Sequence, residues 1–392
     1  MANILTDILK PSVVTRIVSR IRTPGNVLSR FFGMEIGGKS VETLPAMVRQ
    51  YSYDIFDVRR SIARARLLAA PAGTVAPQSV GNNTVTLARY AEKMPMDYNT
   101  IAAIRTLGEN AGNIDRMGAR YIEKQATELN RRQSNLREFL VGSLFRGGLH
   151  YLHQVGDDLL PSYTSTSAMV TVDLKIPSSH KLIGGSFGAG LAMETGSNTI
   201  TATWATASND IPLMLQAVSA GFQASVGEPL SHCFCGYKVW NNVLQNTYVR
   251  QLAGTSGSPF ADFTLTTDKA EDGSRTGLQT GIIKGLPWVQ WHIFDGGLLI
   301  PDNTGAESFT KIIPDDYVMF TIEPELGPSG WMKMVEGGEP VKINDLAPAT
   351  PQFGFFSWMM EKADPARFEL HTLQNVALEL SVPKALAVAR VQ

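Results

Sequence analysis

The side chains of this sequence that could do chemistry are few, and they do not converge. His150 and His153 are three residues apart and could share a metal ion, but no Asp, Glu or Cys stands nearby at ligand spacing. The segment from His232 to Cys235 could supply soft ligands, but the chain has no other cysteines to complete a zinc site. The spacing Gly-x-Ser-x-Gly occurs at Gly184–Gly188, but Thr- and Ser-rich strand sequence follows it in place of the helix that a nucleophile elbow opens, and no Cys/His pair stands in the setting of an activated nucleophile. We therefore predict no catalytic residue, no metal and no cofactor, and a chain that is not an enzyme.

The two cysteines, Cys233 and Cys235, are separated by a single residue. Alternate side chains of a strand point the same way and do not meet in disulfide geometry. This spacing favours a reducing compartment and two buried thiols.

The glycine cluster Gly184–Gly190 does not have the form of a nucleotide-binding loop. It lacks the Gly-Lys-Ser/Thr ending that opens a helix in a phosphate-binding loop, and it is followed by Thr- and Ser-rich sequence. The cluster therefore favours an ordinary loop. Trp288 and Trp291 could form a carbohydrate-binding surface or part of an unrecognised active site, but they are also typical of the core of a buried strand.

Composition narrows the function classes. The chain has 392 residues, of which 44% are hydrophobic and 18% charged, so global disorder is excluded. Its 35 Lys and Arg residues balance 36 Asp and Glu residues, so no overall basic field drives nucleic-acid binding. We see no secretory signal and no apolar stretch of about 18 residues, so we expect a soluble, intracellular protein without a membrane span.

The elements that would position these residues begin with a basic amphipathic segment, residues 1–33, which Pro11 and Pro24 break into short pieces. We interpret it as an arm that docks on a partner subunit, and membrane binding or mitochondrial targeting remains the alternative. Residues 50–107 then read as a long two-stranded excursion with few core residues of its own. Because an isolated hairpin is marginal in water, another chain should stabilise it, and deletion of residues 60–95 should leave a subunit that can fold but cannot build closed shells.

The strongest helix signal covers residues 113–145, ending at Gly147-Gly148. At 1.5 Å per residue it forms a rod of roughly 45 Å, which must support an extended body or cross a sheet. Leu129 lies on its apolar stripe and is predicted to be buried.

The rest of the chain is mixed, with helices starting near Asn209 and Val239 and a Gly/Ser/Thr-rich surface segment at 254–277. Strands are predicted at 169–176, 198–204, 232–235, 285–294, 353–360 and 367–380. This order lacks a βαβα rhythm and predicts an α+β fold.

The segments Ile300–Thr304 and Asp364–Leu370 resemble the major capsid protein of lambda-type tailed phages, the capsid protein E family. The order of elements resembles the family as well. The resemblance implies the Hong Kong phage-type capsid fold, with an N-terminal arm, an extended loop hairpin, a long spine helix, and peripheral and axial domains. It also implies a function, a major capsid protein that self-assembles into hexamers and pentamers of an icosahedral shell around double-stranded DNA. A nanocompartment shell that packages an enzyme cargo is the alternative.

The same resemblance divides the chain into an N-terminal arm at 1–49, an extended loop at 50–107 and a peripheral domain with the spine helix at 108–207. An axial domain at 208–340 and returning strands at 341–392 complete it. The implied partners are further copies of the chain, scaffolding protein, portal and in some relatives a decoration protein. The implied location is the virion capsid, assembled in the host cytoplasm, with DNA enclosed without sequence-specific binding and no membrane contact.

Candidate inter-subunit contacts are six of the cations of residues 50–107. Spread along a strand without an aromatic stacking platform, arginines are more often ion-pair partners at an interface than nucleic-acid ligands, and nucleic acid remains the alternative. Some relatives join a Lys of the extended loop covalently to an Asn, but this sequence shows no matching acceptor environment, and we predict no crosslink. The candidates are Arg59, Arg60, Arg64, Arg66, Arg89 and Lys93.

Overall fold

The computed structural model of the chain describes residues 26–45, 47–56, 80–97, 111–152, 169–182, 200–269, 275–301, 306–324, 330–342, 349–363 and 366–392. Its helices and strands are mixed along the chain, and two large sheets dominate it. The α+β class predicted from the sequence is confirmed. No helix of the described residues is long and apolar enough to cross a membrane.

The helices are α1 (Leu28–Phe31), α2 (Ala111–Gly142), α3 (Ile211–Ser225), α4 (Tyr237–Gln245) and α5 (Thr247–Leu252). The first ten strands are β1 (Val41–Thr43), β2 (Gln50–Phe56), β3 (Val80–Thr86), β4 (Ala88–Asp97), β5 (Leu149–Leu152), β6 (Met169–Val172), β7 (Lys181–Leu182), β8 (His232–Cys235), β9 (Phe263–Lys269) and β10 (Arg275–Ile283). The remaining strands are β11 (Gln290–Ile293), β12 (Gly297–Pro301), β13 (Glu307–Lys311), β14 (Tyr317–Thr321), β15 (Met332–Val341), β16 (Thr350–Phe353), β17 (Phe356–Ala363), β18 (Ala366–Leu380) and β19 (Leu386–Arg390).

The first large sheet is built around β18, a strand of 15 residues. Its N-terminal part pairs with β17, its C-terminal part pairs with β15, and β4 pairs along its other edge. The short strands β1 and β16 extend the sheet from β15. Helix α2 packs across this sheet against β18 and β4. One long strand thus unites segments that are distant in sequence.

The second large sheet has seven strands in the order β7-β19-β14-β8-β11-β10-β9. Its central strand β8 is buried along its whole length, as expected for a strand with apolar neighbours on both faces. Helix α3 begins where the sequence predicts it, because the side chain of Asp210 accepts a hydrogen bond from the Leu213 backbone amide (2.9 Å). The predicted helix near Val239 is confirmed as α4.

The long helix predicted at 113–145 is confirmed as α2, followed by a 3₁₀ turn at Ser143–Arg146. Gly147 ends it with φ 83°, a left-handed conformation that glycine adopts without steric cost. Leu129 is buried, as expected from its place on the apolar stripe.

In the β-rich region, one predicted strand is absent from the described residues, another is shorter than predicted, and a third segment contains strands that were not predicted. Residues 200–204 form no strand; the Trp204 amide instead donates to the Val391 carbonyl (2.7 Å), and its ring enters the core. The strand predicted at 169–176 is shorter, ending at Val172. The segment 254–277 is mostly exposed in its described part, as predicted, but it also contains β9 and the start of β10, because its threonines, counted as polar, are strong strand formers.

The excursion predicted at 50–107 begins as expected, since β2 and β3 pair antiparallel from Gln50–Thr86 to Phe56–Val80. Its base packs into the main core, where Tyr53, Val85 and Ala88 are buried together with residues of many other segments. Strand β4 then joins the large sheet. A deletion of 60–95 would therefore remove β3 and most of β4, and it is not a cut that leaves the subunit intact.

Candidate assembly surface

The sheet that carries β4 is fastened to helix α2 by a buried ion pair. Arg137 of α2 is fully buried, and its guanidinium pairs with the Glu336 carboxylate on β15. Its Nε donates to Gln374 Oε1 of β18 (3.1 Å), and its Nη1 donates to the Met34 carbonyl (3.3 Å). Burial lowers the pKa of Arg137, and the Glu336 charge opposes that shift. One side chain therefore ties the helix, the sheet and the N-terminal segment together.

The next residue of the helix, Glu138, fixes the N-terminal segment a second time. Its carboxylate accepts the backbone amides of Val27 (3.1 Å), Leu28 (2.8 Å) and Ser29 (2.9 Å), which are the unsatisfied donors at the start of α1. Burial raises the pKa of Glu138, and these hydrogen bonds lower it. We name the contact of α2 with residues 26–34 and the six-stranded sheet the spine seam.

A pair of histidines lies where the N-terminal segment meets the seven-stranded sheet. His232 Nδ1 and His292 Nε2 are 3.0 Å apart, and His232 Nε2 lies 3.0 Å from Glu323 Oε2. The Phe31 ring packs on both imidazoles, with centroid distances of 5.2 and 4.6 Å. Burial lowers the pKa of His232, with Glu323 opposing the shift, and burial with the His232 charge lowers the pKa of His292 to about 3. Because one N···N hydrogen bond holds one proton, the pair is neutral or singly charged in this arrangement.

A second hairpin, β12–β13, packs on the other end of the spine helix. Residues of its inner face, such as Leu298 and Ile300, are partly buried against the core. On the outer face, Leu299 and Phe309 are directly opposite each other across the two strands and remain 62% and 64% exposed. An analogous apolar pair, Phe56 and Val80, lies exposed at the outermost described register of the β2–β3 hairpin. Directly opposed apolar side chains left in water are typical of contact surfaces.

The predicted inter-subunit residues fall into two groups. Arg89 and Lys93 lie on β4, where Arg89 Nε pairs with Glu339 Oε2 of the same chain (2.7 Å) and Lys93 Nζ lies 3.8 Å from Glu369 Oε1. Both cations are more than half exposed, so each remains able to meet a second partner. The other four lie outside the described residues, and they are Arg59, Arg60, Arg64 and Arg66.

The histidines and the glycine cluster considered in the sequence form no chemical site among the described residues. His150 is buried, its Nδ1 lies 2.8 Å from Thr171 Oγ1, and burial first, then Arg146, lowers the pKa of His150 to about 4. His153 and the Gly184–Gly190 cluster lie outside the described residues. Within the part of the chain that the structure describes, no group of three or more His, Cys, Asp and Glu side chains could hold a metal ion.

The cysteine and tryptophan predictions have separate outcomes. Cys233 and Cys235 are free, buried thiols, as the sequence indicates, and burial raises the pKa of both. Trp291 is a core residue of β11, whereas Trp288 is 38% exposed, so the core interpretation holds for one tryptophan alone.

The exposed apolar pairs were not predicted from the sequence. The motif in this region is Ile300–Thr304, and it does not assign a face of the strand to each side chain. A signal was present, because Leu298, Leu299 and Ile300 are apolar in succession. Such a run places apolar side chains on both faces of a strand, and a two-stranded ribbon can bury only one face against its own chain.

The exposed pairs and the spine seam belong to a fold that other proteins share. No protein-family model matches the chain, and no curated protein matches it, so the lambda-type family named above is not confirmed. Among solved structures, a prophage protein of E. coli CFT073 that is described as a capsid protein aligns with a TM-score of 0.51 and 13% identity, over 97% of this chain and 99% of the other.

Two further solved structures resemble the chain more weakly. A phage-related protein of Bordetella bronchiseptica RB50 gives a TM-score of 0.47 at 11% identity, covering 97% of this chain and 96% of that one. The capsid of Myoviridae phage XM1 gives 0.42 at 10% identity, covering 93% and 92%. The fold assignment rests on the prophage protein, whose likeness extends over nearly the whole of both chains. This chain has the α+β fold of the Hong Kong phage type that its sequence predicts.

Proposed function

We propose that this chain is a major capsid protein that self-assembles into hexamers and pentamers of an icosahedral viral shell around double-stranded DNA. The observation that carries the proposal is the end-to-end likeness to a prophage protein described as a capsid protein. Two hairpins with exposed apolar pairs also support the proposal. When neighbouring subunits cover such surfaces, apolar side chains leave water, and this stabilises the assembly. Each contact can be weak, since a closed shell repeats it many times.

The finer assignments belong to the same proposal. The domain division, with an arm at 1–49 and an extended loop at 50–107, follows the lambda-type resemblance, as do scaffolding protein, portal and a decoration protein as partners. Assembly in the host cytoplasm follows it too. The six candidate cations named from the sequence are proposed inter-subunit contacts, and Arg89 and Lys93 are exposed enough to take that role. The role is structural and not catalytic.

The near-neutral charge of the chain supports enclosure of DNA without tight binding. With a net charge of -1, the chain has no surplus of cations over anions to release counterions from DNA. We expect the isolated subunit to bind DNA weakly and without the steep salt dependence that many phosphate contacts produce. Steep salt dependence in a filter-binding titration would contradict this part of the proposal.

The direct test is electron microscopy of the purified, overexpressed chain, with sedimentation velocity to measure the assembled fraction. We expect closed shells, or hexamers and pentamers that close when a scaffolding protein is added. A monodisperse monomer at high concentration, with and without that protein, would overturn the proposal. Shells that enclose a co-expressed enzyme and no DNA would favour the nanocompartment alternative.

A second test addresses the extended loop without cutting the core. Replacement of residues 57–79 by a short Gly/Ser linker keeps β2, β3 and β4, so the subunit should still fold and unfold cooperatively on heating. We expect this variant not to close into shells. Normal shells would remove the loop from the assembly contacts while leaving the capsid proposal intact.

A further inference from the structure

The outer face of the β12–β13 hairpin carries an exposed apolar pair that spans its two strands. Leu299 and Phe309 face each other across the ladder, and both are more than 60% exposed. Cross-strand neighbours of this kind form one continuous apolar patch. Their strand neighbours on the inner face, Leu298 and Ile300, are partly buried, so the exposed face is not a consequence of a loose hairpin.

The hairpin is held in place at several points. The Lys311 ammonium group donates to Asp295 Oδ2 (2.8 Å) and Asp315 Oδ1 (2.6 Å), which fixes the end of β13. A Cβ built on Gly142 of the spine helix would lie 2.4 Å from Ile312 Cγ2, so the chain following β13 lies directly on the helix. A Cβ on Gly297 would lie 2.6 Å from Phe309 Cζ, so the Phe309 ring covers this glycine. The contact with Gly297 restrains the Phe309 ring, which reduces the side-chain entropy that this ring would lose on binding.

We propose that this outer face is a contact surface for a second copy of this chain. The inference rests on the proposed shell function and names one of its contacts.

The area of the patch decides between a second copy and a partner that binds alone. Two side chains that are a little more than half exposed offer on the order of 250 Å² of apolar surface. A stable two-body interface needs about 800 Å² from each partner. A separate protein held by this patch alone would dissociate readily, whereas a copy in a closed shell is held by many other contacts at the same time. A second copy is therefore the occupant that the area favours.

The test compares two double variants of the full chain. Leu299→Thr with Phe309→Thr removes the apolar surface and keeps strand propensity, whereas Leu299→Met with Phe309→Tyr keeps most of the apolar surface. We expect the threonine variant to raise the critical concentration for assembly at least tenfold, and the conservative variant to leave it within about twofold of wild type. Thermal unfolding of the unassembled subunits reports whether the variants fold.

A labelling experiment keeps the inference testable if the threonine variant does not fold. The two native cysteines are buried, so Glu307→Cys introduces one exposed thiol on the same face of β13 as Phe309 and leaves the apolar pair in place. We expect maleimide to label it readily in unassembled subunits and at least tenfold more slowly in shells. Equal labelling rates, or unchanged assembly of the threonine variant, would overturn the inference. Normal shells that fail only to bind a second virion protein would also overturn it, in favour of that protein as occupant.

These outcomes separate the inference from the function on which it rests. If the wild-type chain forms no shell under any condition, the proposed function fails. If the wild-type and threonine chains assemble equally well, the function stands and the hairpin contact is wrong.

Discussion

The spine seam and the outer face of the β12–β13 hairpin differ in the kind of side chain that each buries or exposes. The seam buries charge, with Arg137 paired to Glu336 and Glu138 accepting three backbone amides. The hairpin exposes apolar surface, with Leu299 and Phe309 left in water. A usual soluble protein would reverse these choices, since isolated buried charges and exposed apolar pairs both cost free energy.

The two kinds of contact therefore have different roles. Buried ion pairs and amide–carboxylate bonds are directional, so they specify how α2, the sheet and residues 26–34 fit together. Apolar contacts are non-directional and tolerate adjustment, which suits a surface that meets neighbours in more than one environment. The following variants would break or sharpen that comparison, beginning with the largest expected effect.

Leu129→Asp should abolish soluble protein. Leu129 lies on the buried face of the spine helix and is 3% exposed, so the substitution places an unpaired carboxylate in the interior at a cost of roughly 4 kcal/mol or more. The matched control is Leu299→Asp on the hairpin, which should remain soluble because its side chain already faces water. The soluble fraction after expression measures both, and equal solubility of the two variants would remove the distinction between the regions.

Arg137→Met should lower the free energy of unfolding by about 3–5 kcal/mol, because it leaves the Glu336 carboxylate buried without its partner. Arg132→Met is the control on the same helix, since its pair with Glu92 (2.8 Å) is partly exposed and should contribute less than about 1 kcal/mol. Urea unfolding of the unassembled subunits measures both changes. Similar losses for the two variants would show that burial does not determine how much an ion pair contributes to the free energy of unfolding.

Acidification should weaken the contact between residues 26–34 and the seven-stranded sheet. The pKa values of His232 and His292 are lowered in the fold, so the unfolded chain binds more protons below its ordinary histidine pKa of about 6.5. The stabilisation is complete above that pH and is lost as the pH falls toward about 3, at up to roughly 1.4 kcal/mol per pH unit for each imidazole.

The measurement for this pair is the free energy of unfolding between pH 7 and pH 4. His292→Phe should flatten its pH dependence, since the new ring can pack among Phe31 and Phe234 without taking up a proton. His150, whose pKa is also lowered, remains in that variant and keeps part of the slope. An unchanged slope would show that the histidine pair does not report on this contact.

Arg89→Ala should have the smallest effect on the folded subunit, less than about 1 kcal/mol, because its pair with Glu339 is largely exposed. If Arg89 also contacts a neighbouring subunit, the same variant should raise the critical concentration for assembly. Urea unfolding and sedimentation together measure the two quantities. A loss of stability well above 1 kcal/mol would assign Arg89 to the folding of its own chain.

Sequence patterns predicted the parts of this fold in which local signals agree. Helix α2 has a long apolar stripe and a glycine stop, and β8 is a short run of buried residues, so both were predictable. The segment around Trp204 was not, because alternation alone does not reveal that a chain will lie beside the C-terminal strand without joining it.

The candidate surfaces were less predictable than the fold. Arg89 and Lys93 could be singled out by charge, but their partners Glu339 and Glu369 are about 250 or more residues away in sequence and meet them only through β18 and its neighbours. The exposure of Leu299 and Phe309 depends on which face of the hairpin meets the spine helix, and that choice is made by tertiary packing.

The arrangement of β4 on β18 has a mechanical consequence. The antiparallel ladder runs from Ala88–Val376 to Asp97–Arg367, and β4 continues directly from the β2–β3 hairpin. A pull on that hairpin along the strand axis loads the hydrogen bonds of the ladder together, in shear, and does not peel them apart one at a time. The tension then passes through β18 into both β15 and β17, so the subunit resists stretching as one unit.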